Sequence, residues 1–415
     1  MNWSRLRTDA DLTVIRDIAV AGAGPTGLAV ALMLARQGRR VVVFERFDTA
    51  QPVGAGFMLQ PTGLAVLDAL GLKSKIQDLG QPIDHIFGRA APSGRVVLDV
   101  RYSDLKRPRQ ALGVHRSAIF HVLHQACLEA GVQFELAREA TAASQGRLSF
   151  ADGSTSSSFD LVVDATGARS PIAATLAQVQ GSGRRDLAYG ALWTTTPWPA
   201  DPHFDERALQ QVYRGAAKMV GVLPVGARPG SPDRLATFFW SLRVEDHAAW
   251  RRQGLDAWKA EVRALWPETT ALLDTIGHLD DLVLARYGHH TLARPVADRL
   301  AVVGDAAHST SPQLGQGVNM GLLDAHALCR SLQAHADLDT ALSAYARDRR
   351  WHLRLYQALS LGFTPFYQAE GRLLPWIRDH VLGKAARLPF APRLLAATVS
   401  GLLLDPRRTV LTPRG

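Results

Sequence analysis

The stretch IRDIAVAGAGPTGLAVALMLARQGRRVVVFE, residues 15–45, decides the fold. Ile15 to Val20 reads as a short buried strand, Gly27 to Gln37 as a helix and Val41 to Glu45 as a second strand, which together make a βαβ unit. The turn Gly22-Ala23-Gly24-Pro25-Thr26-Gly27 fits G-x-G-x-x-G in the strand-then-helix context that gives the pattern a mechanism. Gly22 permits the tight turn, Gly24 lets the backbone approach a pyrophosphate, and Gly27 lets helix and strand pack closely. The helix that opens after Pro25 and Thr26 offers unpaired N–H groups and a positive dipole end to phosphates. Glu45 ends the second strand, about twenty residues on, where a carboxylate accepts hydrogen bonds from both ribose hydroxyls. The reading is dinucleotide binding; its alternative is a tight structural turn with no ligand. The motif does not separate NAD from FAD, and no second G-x-G-x-x-G marks a separate nicotinamide domain.

A second glycine-rich site lies near the other end, LAVVGDAAHSTSPQLGQGVNMGLLDA, residues 300–325. Leu300 to Val303 is the last strand of the set, Gly304-Asp305 breaks it, and a small-residue loop leads into a helix near Gly317. A plain N-cap after a buried strand is the bland reading of Gly304-Asp305. Two polar sites on apolar scaffolding, so far apart in the chain, suggest one long ligand gripped at both ends.

With 415 residues the chain can bury a sizeable core and divides into two structural units. Its two cysteines, Cys127 and Cys329, sit in apolar helical patterns, without a disulfide framework or zinc spacing. A reducing compartment follows, and we place the protein in the cytoplasm with no metal site. The uncharged run Ile18 to Ala35 is long enough to suggest a membrane span, but its glycines and Pro25 split it into strand, turn and helix. Residues 1–16 carry Arg5, Arg7, Asp9, Asp11 and Arg16 without an apolar core, so they are not a secretory signal. The net charge of +9 is scattered, with no basic block interleaved with aromatics, which argues against nucleic acid and for an anionic cofactor.

Elsewhere, Ser117 to Ala130 is helical, and Leu148 to Ser149 and Phe159 to Asp164 read as strands. From about 181 to 285 alternating segments, Gln211 to Arg214, Met219 to Leu223 and Ala236 to Arg243, are separated by Gly/Pro turns and predict a second sheet, with Phe87 to Val100 as an added hairpin. From Ala325 on the pattern is mainly helical. Lys384 to Leu404 mixes basic and apolar residues; it reads as a helix packed on the body or one touching a membrane surface.

Gly22–Gly27, Glu45-Arg46, Arg116, Gly304-Asp305 and the Pro312 to Gly317 loop together resemble the FAD-dependent aromatic hydroxylases, the single-component flavoprotein monooxygenases of the para-hydroxybenzoate and salicylate hydroxylase type. Gly54 to Gly63 and Leu67 to Leu72 resemble them too. The likeness spans most of residues 15–350 and is weakest in the middle, where substrate is chosen. It implies an α/β architecture: a Rossmann-like FAD-binding domain from residues 15–80, 101–180 and 286–350, an interleaved mixed or antiparallel β-sheet substrate domain from 81–100 and 181–285, and a C-terminal helical region, 351–415. It also implies roles. Asp305 would bind the ribityl chain, Arg116 would contact the ribityl–pyrophosphate region, and Pro312 with Gly315, Gly317, Val318 and Asn319 would lie against the isoalloxazine. A helix N-terminus there would stabilise negative charge on the reduced ring. One departure stands out: where the family carries an Asp-Gly pair after its central strand, this chain has Asp164-Ala165-Thr166-Gly167, with Thr166 in the place of the aspartate. Threonine hydrogen-bonds but carries no charge, which leaves the docking of the reductant open.

The activity implied is hydroxylation of a small phenol-like or heteroaromatic molecule by O₂, with NADPH or NADH as reductant and a flavin C4a-hydroperoxide as oxidant. No catalytic base is evident. His289, Tyr213 and Tyr287 are weak candidates to touch substrate, since such residues are more often structural, and Trp193, Phe238, Phe239 and Trp240 could line an aromatic pocket or simply pack a core. His308 could cap the loop. The alternatives are a flavin reductase or dehydrogenase of a prenyl-lipid or natural product, a flavin halogenase, for which no W-x-W-x-I-P segment is apparent, and a non-enzymatic FAD-binding protein. Substrate, nicotinamide preference and oligomeric state are not legible in the sequence.

Overall fold

The computed structural model describes residues 15–49, 55–107, 109–200, 203–369, 371, 373–378, 380 and 388–404. Arg5, Arg7, Asp9, Asp11, Gly54 and Lys384 lie outside them. The short apolar runs of the two glycine-rich segments form strands of one sheet. Its order is Val296–Ala297, Leu300–Val302, Leu161–Asp164, Asp17–Ala21, Arg40–Phe44, Gln133–Glu135, parallel throughout except for the first, edge pair. Central parallel strands are covered on both faces, which is why these segments read as continuous apolar runs rather than alternations. Ile18 and Val20 point to one core, with Val41 and Val43, and Ala19 and Ala21 to the other, with Val42 and Phe44.

Helices α1 (Pro25–Arg36), α2 (Pro61–Ala69), α3 (Arg116–Glu129) and α4 (Gly317–Ala334) cover the first face. α1 begins at Pro25, earlier than the expected Gly27, because Gly24 serves as N-cap and proline suits the first helical turn. Leu28, Leu32 and Leu34 of α1 are fully buried; each such side chain contributes about 1.5–3 kcal/mol of apolar burial. The hairpin Ala140–Ser144/Arg147–Phe150 and the helix Pro171–Val179 cover the second face.

A seven-stranded sheet runs Val283–His289, Arg185–Pro197, Leu235–Arg243, Lys218–Gly226, Ala208–Arg214, His85–Ala90, Arg95–Arg101. All its pairs are antiparallel except Ala208–Arg214 with His85–Ala90. The sheet is thus mixed, as expected, and its thirteen-residue strand Arg185–Pro197 is the element the sequence reading missed. Phe238 and Trp240 pack one face with Trp258 and Leu272, while Phe239 turns to the other with Met58 and Leu223. The segment Gln81–Ile83 belongs instead to a small three-stranded sheet with Phe57–Leu59 and Ala111–Val114.

After α4 the chain continues into α5 (Leu338–Tyr367), which runs unbroken through residue 350, and later α6 (Ala391–Val399). Ala396 and Thr398 of α6 are buried, with Ala396 in the core beside Tyr102 and Val100, so this helix is packed on the body. Among the described residues no helix is long and apolar enough to cross a membrane, and Cys127 and Cys329 are free and buried.

Candidate functional site

The two sheets border a cavity of about 1100 Å³, slightly above the ~300–1,000 Å³ usual for small-molecule pockets. Gly22, Gly24, Pro25, Thr26, Glu45, Arg46, Arg116, Thr166, Asp305, Pro312, Gly315, Gly317 and Val318 all line it. Residues from both glycine-rich segments therefore face one continuous space.

At one end the strand Asp17–Ala21 breaks at Gly22, whose φ of +100° favours glycine; a Cβ there would come within 2.6 Å of the Ala165 carbonyl oxygen. Gly24 faces open space, and the first turn of α1 has no side-chain cap, so its N–H groups are free for an anion. Gly27 does not line the cavity. A Cβ on it would sit 2.0 Å from the Gly22 oxygen, so its role is to let α1 close on the loop. The buried Glu45 carboxylate accepts from the Ala23 N–H at 2.7 Å and, more weakly, from the Phe47 N–H at 3.3 Å. It fixes the glycine loop while bordering the cavity. The Arg46 guanidinium lies over the Phe47 ring at 4.7 Å.

At the other end Gly304 adopts φ +61° and donates its N–H to Asp324 at 2.8 Å, leaving Asp305 at the head of the short helix Asp305–His308 and open to the cavity. Gly304 itself does not line the cavity; a Cβ on it would lie 2.9 Å from Thr26 Oγ1. His308 does not cap the loop that follows it; its Nε2 pairs with the buried Asp324 carboxylate. Arg116 lines the cavity with its side chain accessible to solvent there and protein crowded around it. Burial pulls its pKa down, opposed by the Asp305 carboxylate and Tyr287. The loop then passes Pro312–Leu314, turns at Gly315 with φ +60°, and enters α4, whose N-terminus also lacks a side-chain cap. Asn319 is fully buried behind this loop: its amide donates to the Gly315 and Met58 carbonyls, and its oxygen accepts from the Gln60 N–H at 2.8 Å. It holds the wall without lining it.

Asp164 is fully buried. Its carboxylate accepts from Thr166 N at 3.0 Å, Thr166 Oγ1 at 2.7 Å and Ser170 Oγ at 2.5 Å. Burial raises its pKa, and the hydroxyls of Ser170 and Thr166 oppose that. The Thr166 hydroxyl is thus committed to Asp164, and the cavity wall over residues 165–169 offers Arg169 but no carboxylate.

Of the three substrate candidates only Tyr287 reaches the cavity. Its hydroxyl accepts a hydrogen bond from Trp193 Nε1 at 2.7 Å, and burial keeps the phenol protonated, with Trp193 and Arg116 opposing. Its own proton has no acceptor among the described residues and is available to a molecule in the cavity. Tyr213 is buried against Tyr367 and Arg378, its hydroxyl bonded to Gln211, and His289 is buried away from the cavity. Of the four aromatics, Trp193 alone lines the cavity, its ring tilted against that of Phe239 with centroids 4.7 Å apart. Sequence reasoning overlooked His115, Arg228 and the Thr194–Thr196 run. His115 caps α3, its Nδ1 accepting from Ser117 N, and burial with Arg228 and Arg116 lowers its pKa to about 4, so the ring is neutral. The polar residue directly before a helical pattern was the signal for it.

These donors and shapes fit an FAD: free helix N–H groups beside glycines, a strand-end carboxylate, a second carboxylate with an arginine, and a capless helix N-terminus at the far end. A family model described as an FAD binding domain matches residues 16–356. The FAD-dependent urate hydroxylase of Mycolicibacterium vanbaalenii is 28% identical over 357 residues, 80% of this chain and 84% of that protein. The tetrameric form of 2-methyl-3-hydroxypyridine-5-carboxylic acid oxygenase superposes with a TM-score of 0.76 at 21% identity, covering 93% of this chain and 96% of that one. Klebsiella pneumoniae HpxO complexed with FAD and uric acid superposes with a TM-score of 0.77 at 20% identity, covering 94% and 97%.

Proposed function

The chain belongs to the FAD binding domain family and is an FAD-dependent monooxygenase, and from that premise we propose that it hydroxylates a small aromatic or heteroaromatic ring bearing an acceptor oxygen. The observation that carries this reading is the single cavity, open from Glu45 at one end to Trp193 and Tyr287 at the other. FAD supplies the electron storage and oxygen activation that side chains lack. The N–H groups of Gly24 and Thr26 would hold its pyrophosphate, Glu45 and Arg46 its adenosine end, Asp305 and Arg116 its ribityl region, and Pro312 with Gly315–Val318 its ring. The uncapped N-terminus of α4 favours negative charge on that ring. Beyond it, the half-buried Trp193 ring screens the site from water, and Tyr287, which lines the same space, would donate to the substrate's oxygen.

In this reading residues 15–80, 101–180 and 286–350 carry the cofactor, 81–100 and 181–285 select the substrate, and 351–415 support both. NADPH or NADH would reduce the flavin, and Arg169 rather than a carboxylate would meet it beside Thr166. The buried free thiols fit a reducing compartment such as the cytoplasm. Leu388, Phe390 and Leu394 are exposed beside Arg393, which supports a contact with anionic membrane surfaces; sedimentation with anionic but not neutral vesicles tests it.

The deciding assay measures NAD(P)H and O₂ consumption with a panel of phenols, quinolones, hydroxypyridines and polyprenyl aromatics. Oxygen uptake coupled to a product heavier by one oxygen is the expected result. Turnover of substrate without oxygen would replace hydroxylation by dehydrogenation, and protein that stays colourless with added FAD would remove both.

A further inference from the structure

The end of α6 is held in an unusual way. A helix terminus leaves its last carbonyls without intrahelical partners. Here four consecutive carbonyls, those of Thr398 and Val399 at the end of α6 and of Ser400 and Gly401 just past it, each accept from a side chain of another element. Thr398 O takes the Tyr356 hydroxyl at 3.0 Å, Val399 O takes Gln316 Nε2 at 2.5 Å, Ser400 O takes Thr62 Oγ1 at 3.3 Å, and Gly401 O takes His352 Nε2 at 3.0 Å. The Tyr356 oxygen also accepts from Leu403 N at 3.3 Å. Gly401 has φ +77°, and a Cβ on it would lie 2.6 Å from Thr62 Oγ1 and 3.0 Å from Gln316 Oε1. All four donors are buried.

Two of these donors lead to the cavity. Gln316 lies in the loop whose neighbours Gly315 and Gly317 line it. His352 Nδ1 meets Arg349 Nη1 at 3.2 Å, Arg349 Nε donates to Asp324 at 2.7 Å, and Asp324 accepts the Gly304 N–H at 2.8 Å, next to Asp305. Arg349 and Asp324 are both fully buried, so this chain of bonds cannot be replaced by water without opening the core.

We infer that the turn Thr398–Leu403 is the rear support of the cofactor cavity, with Gln316, Thr62, His352 and Tyr356 as positioning residues that transmit it to the Gly304–Asp305 turn and the Gly315–Gly317 loop. The inference rests on FAD being the molecule in the cavity. It differs from a merely structural role in one respect: loosening the turn must change how the cavity holds FAD, and not only how stable the chain is.

The test uses full-length Gly401→Val and the pair Thr62→Val and Thr62→Ser, with Leu265→Ala in the core of the other sheet as a control for general destabilisation. FAD affinity is read by flavin fluorescence on apoprotein well below the melting temperature, and hydrogen exchange is read over residues 304–317 without FAD. Gly401→Val and Thr62→Val are expected to weaken FAD about tenfold, equivalent to about 1.4 kcal/mol, and to speed exchange in 304–317. Thr62→Ser restores both, and Leu265→Ala lowers the melting temperature with FAD affinity kept. Unchanged affinity and exchange in Gly401→Val, or equal loss in Leu265→Ala, overturns the inference. Wild-type protein that binds no FAD overturns instead the functional reading on which it rests.

Discussion

Replacing Glu45 by alanine should weaken FAD binding by about 1–3 kcal/mol, roughly 5- to 150-fold in dissociation constant. Two contributions set that range. The carboxylate accepts from Ala23 N at 2.7 Å, a charge-assisted bond worth about 1.5–3 kcal/mol. Part of that is regained when water reaches the freed N–H, because the position borders the cavity. The remainder is the loss of ribose hydroxyls as donors to the same group. Glu45→Gln separates the two, since its amide oxygen can still accept from Ala23 while its NH₂ cannot accept from ribose. The assay is a titration of apoprotein with FAD and, in parallel, with FMN, which lacks the adenosine. Glu45→Ala should lose affinity for FAD and keep it for FMN. A dissociation constant for FAD within twofold of wild type would refute the placement of adenosine at Glu45. Equal losses for FAD and FMN would show that Glu45 acts only through the glycine loop.

Gly317→Val should weaken FAD binding, because a Cβ at 317 points to Asp305 Oδ1 at 3.4 Å and its branches fill the cavity; unchanged flavin absorbance after gel filtration contradicts this. Tyr287→Phe should raise KM for the substrate by about tenfold, the value of one hydrogen bond of about 1.4 kcal/mol, with FAD content unchanged; an unaltered KM with lower kcat would place Tyr287 elsewhere in the cycle. Acidification should destabilise the fold early. His115 and His326 titrate near 4 and His352 near 3, all below the ordinary 6.5 because burial disfavours their charge. The unfolded chain therefore takes up more protons below 6.5, so stability is full above that pH and falls as pH drops towards 4. Asp324, pulled down to about 2 by His308 and Arg349 against burial, adds a further loss only between about 4 and 2. A melting temperature that stays flat from pH 7 to 5 counts against this. Gly321→Ala should be strongly destabilising, because its Cβ would lie 2.1 Å from Thr26 Oγ1, and Thr26→Ala in the same chain should recover part of the loss; additive melting-temperature changes would refute the contact.

The βαβ unit was legible because apolar runs, glycine spacing and the strand-end acid all point to one geometry at residues 15–45. The long strand Arg185–Pro197 was not. It carries Gly190 and a threonine run, and its pairing with Val283–His289 shifts between Asp186 and Gly190. Gly190 is set by its neighbour: a Cβ there would meet the Ala285 oxygen at 2.4 Å, a constraint invisible in local pattern. Within the site, residue identity alone did not separate those that line the cavity from those that build it. Gly27, Gly304 and Asn319 sit in the motifs yet act behind the wall. Gln316, inside the second motif, was passed over because its partner Val399 lies far along the chain. Two of the weak candidates do not reach the cavity: Tyr213 was read from a strand position and His289 from its place just before the last strand of the set, but which side chains meet the cavity is decided by packing.

The expectation of one ligand gripped at two ends acquires a physical basis in Thr26. Its side chain fills the space that a Cβ on Gly304 or on Gly321 would need, at 2.9 Å and 2.1 Å from Oγ1. The N-terminal glycine loop and the C-terminal one are therefore in contact, not merely facing each other across a cleft. A change in either displaces the other, because packed elements in van der Waals contact transmit shifts of well under an ångström. This makes the distance between the phosphate-facing N–H groups of α1 and the Asp305 carboxylate a property of one rigid joint. A ligand whose pyrophosphate and polyol chain are fixed in length is held best by such a joint, whereas a cavity with two independent walls would have to order them on binding, at a cost in affinity.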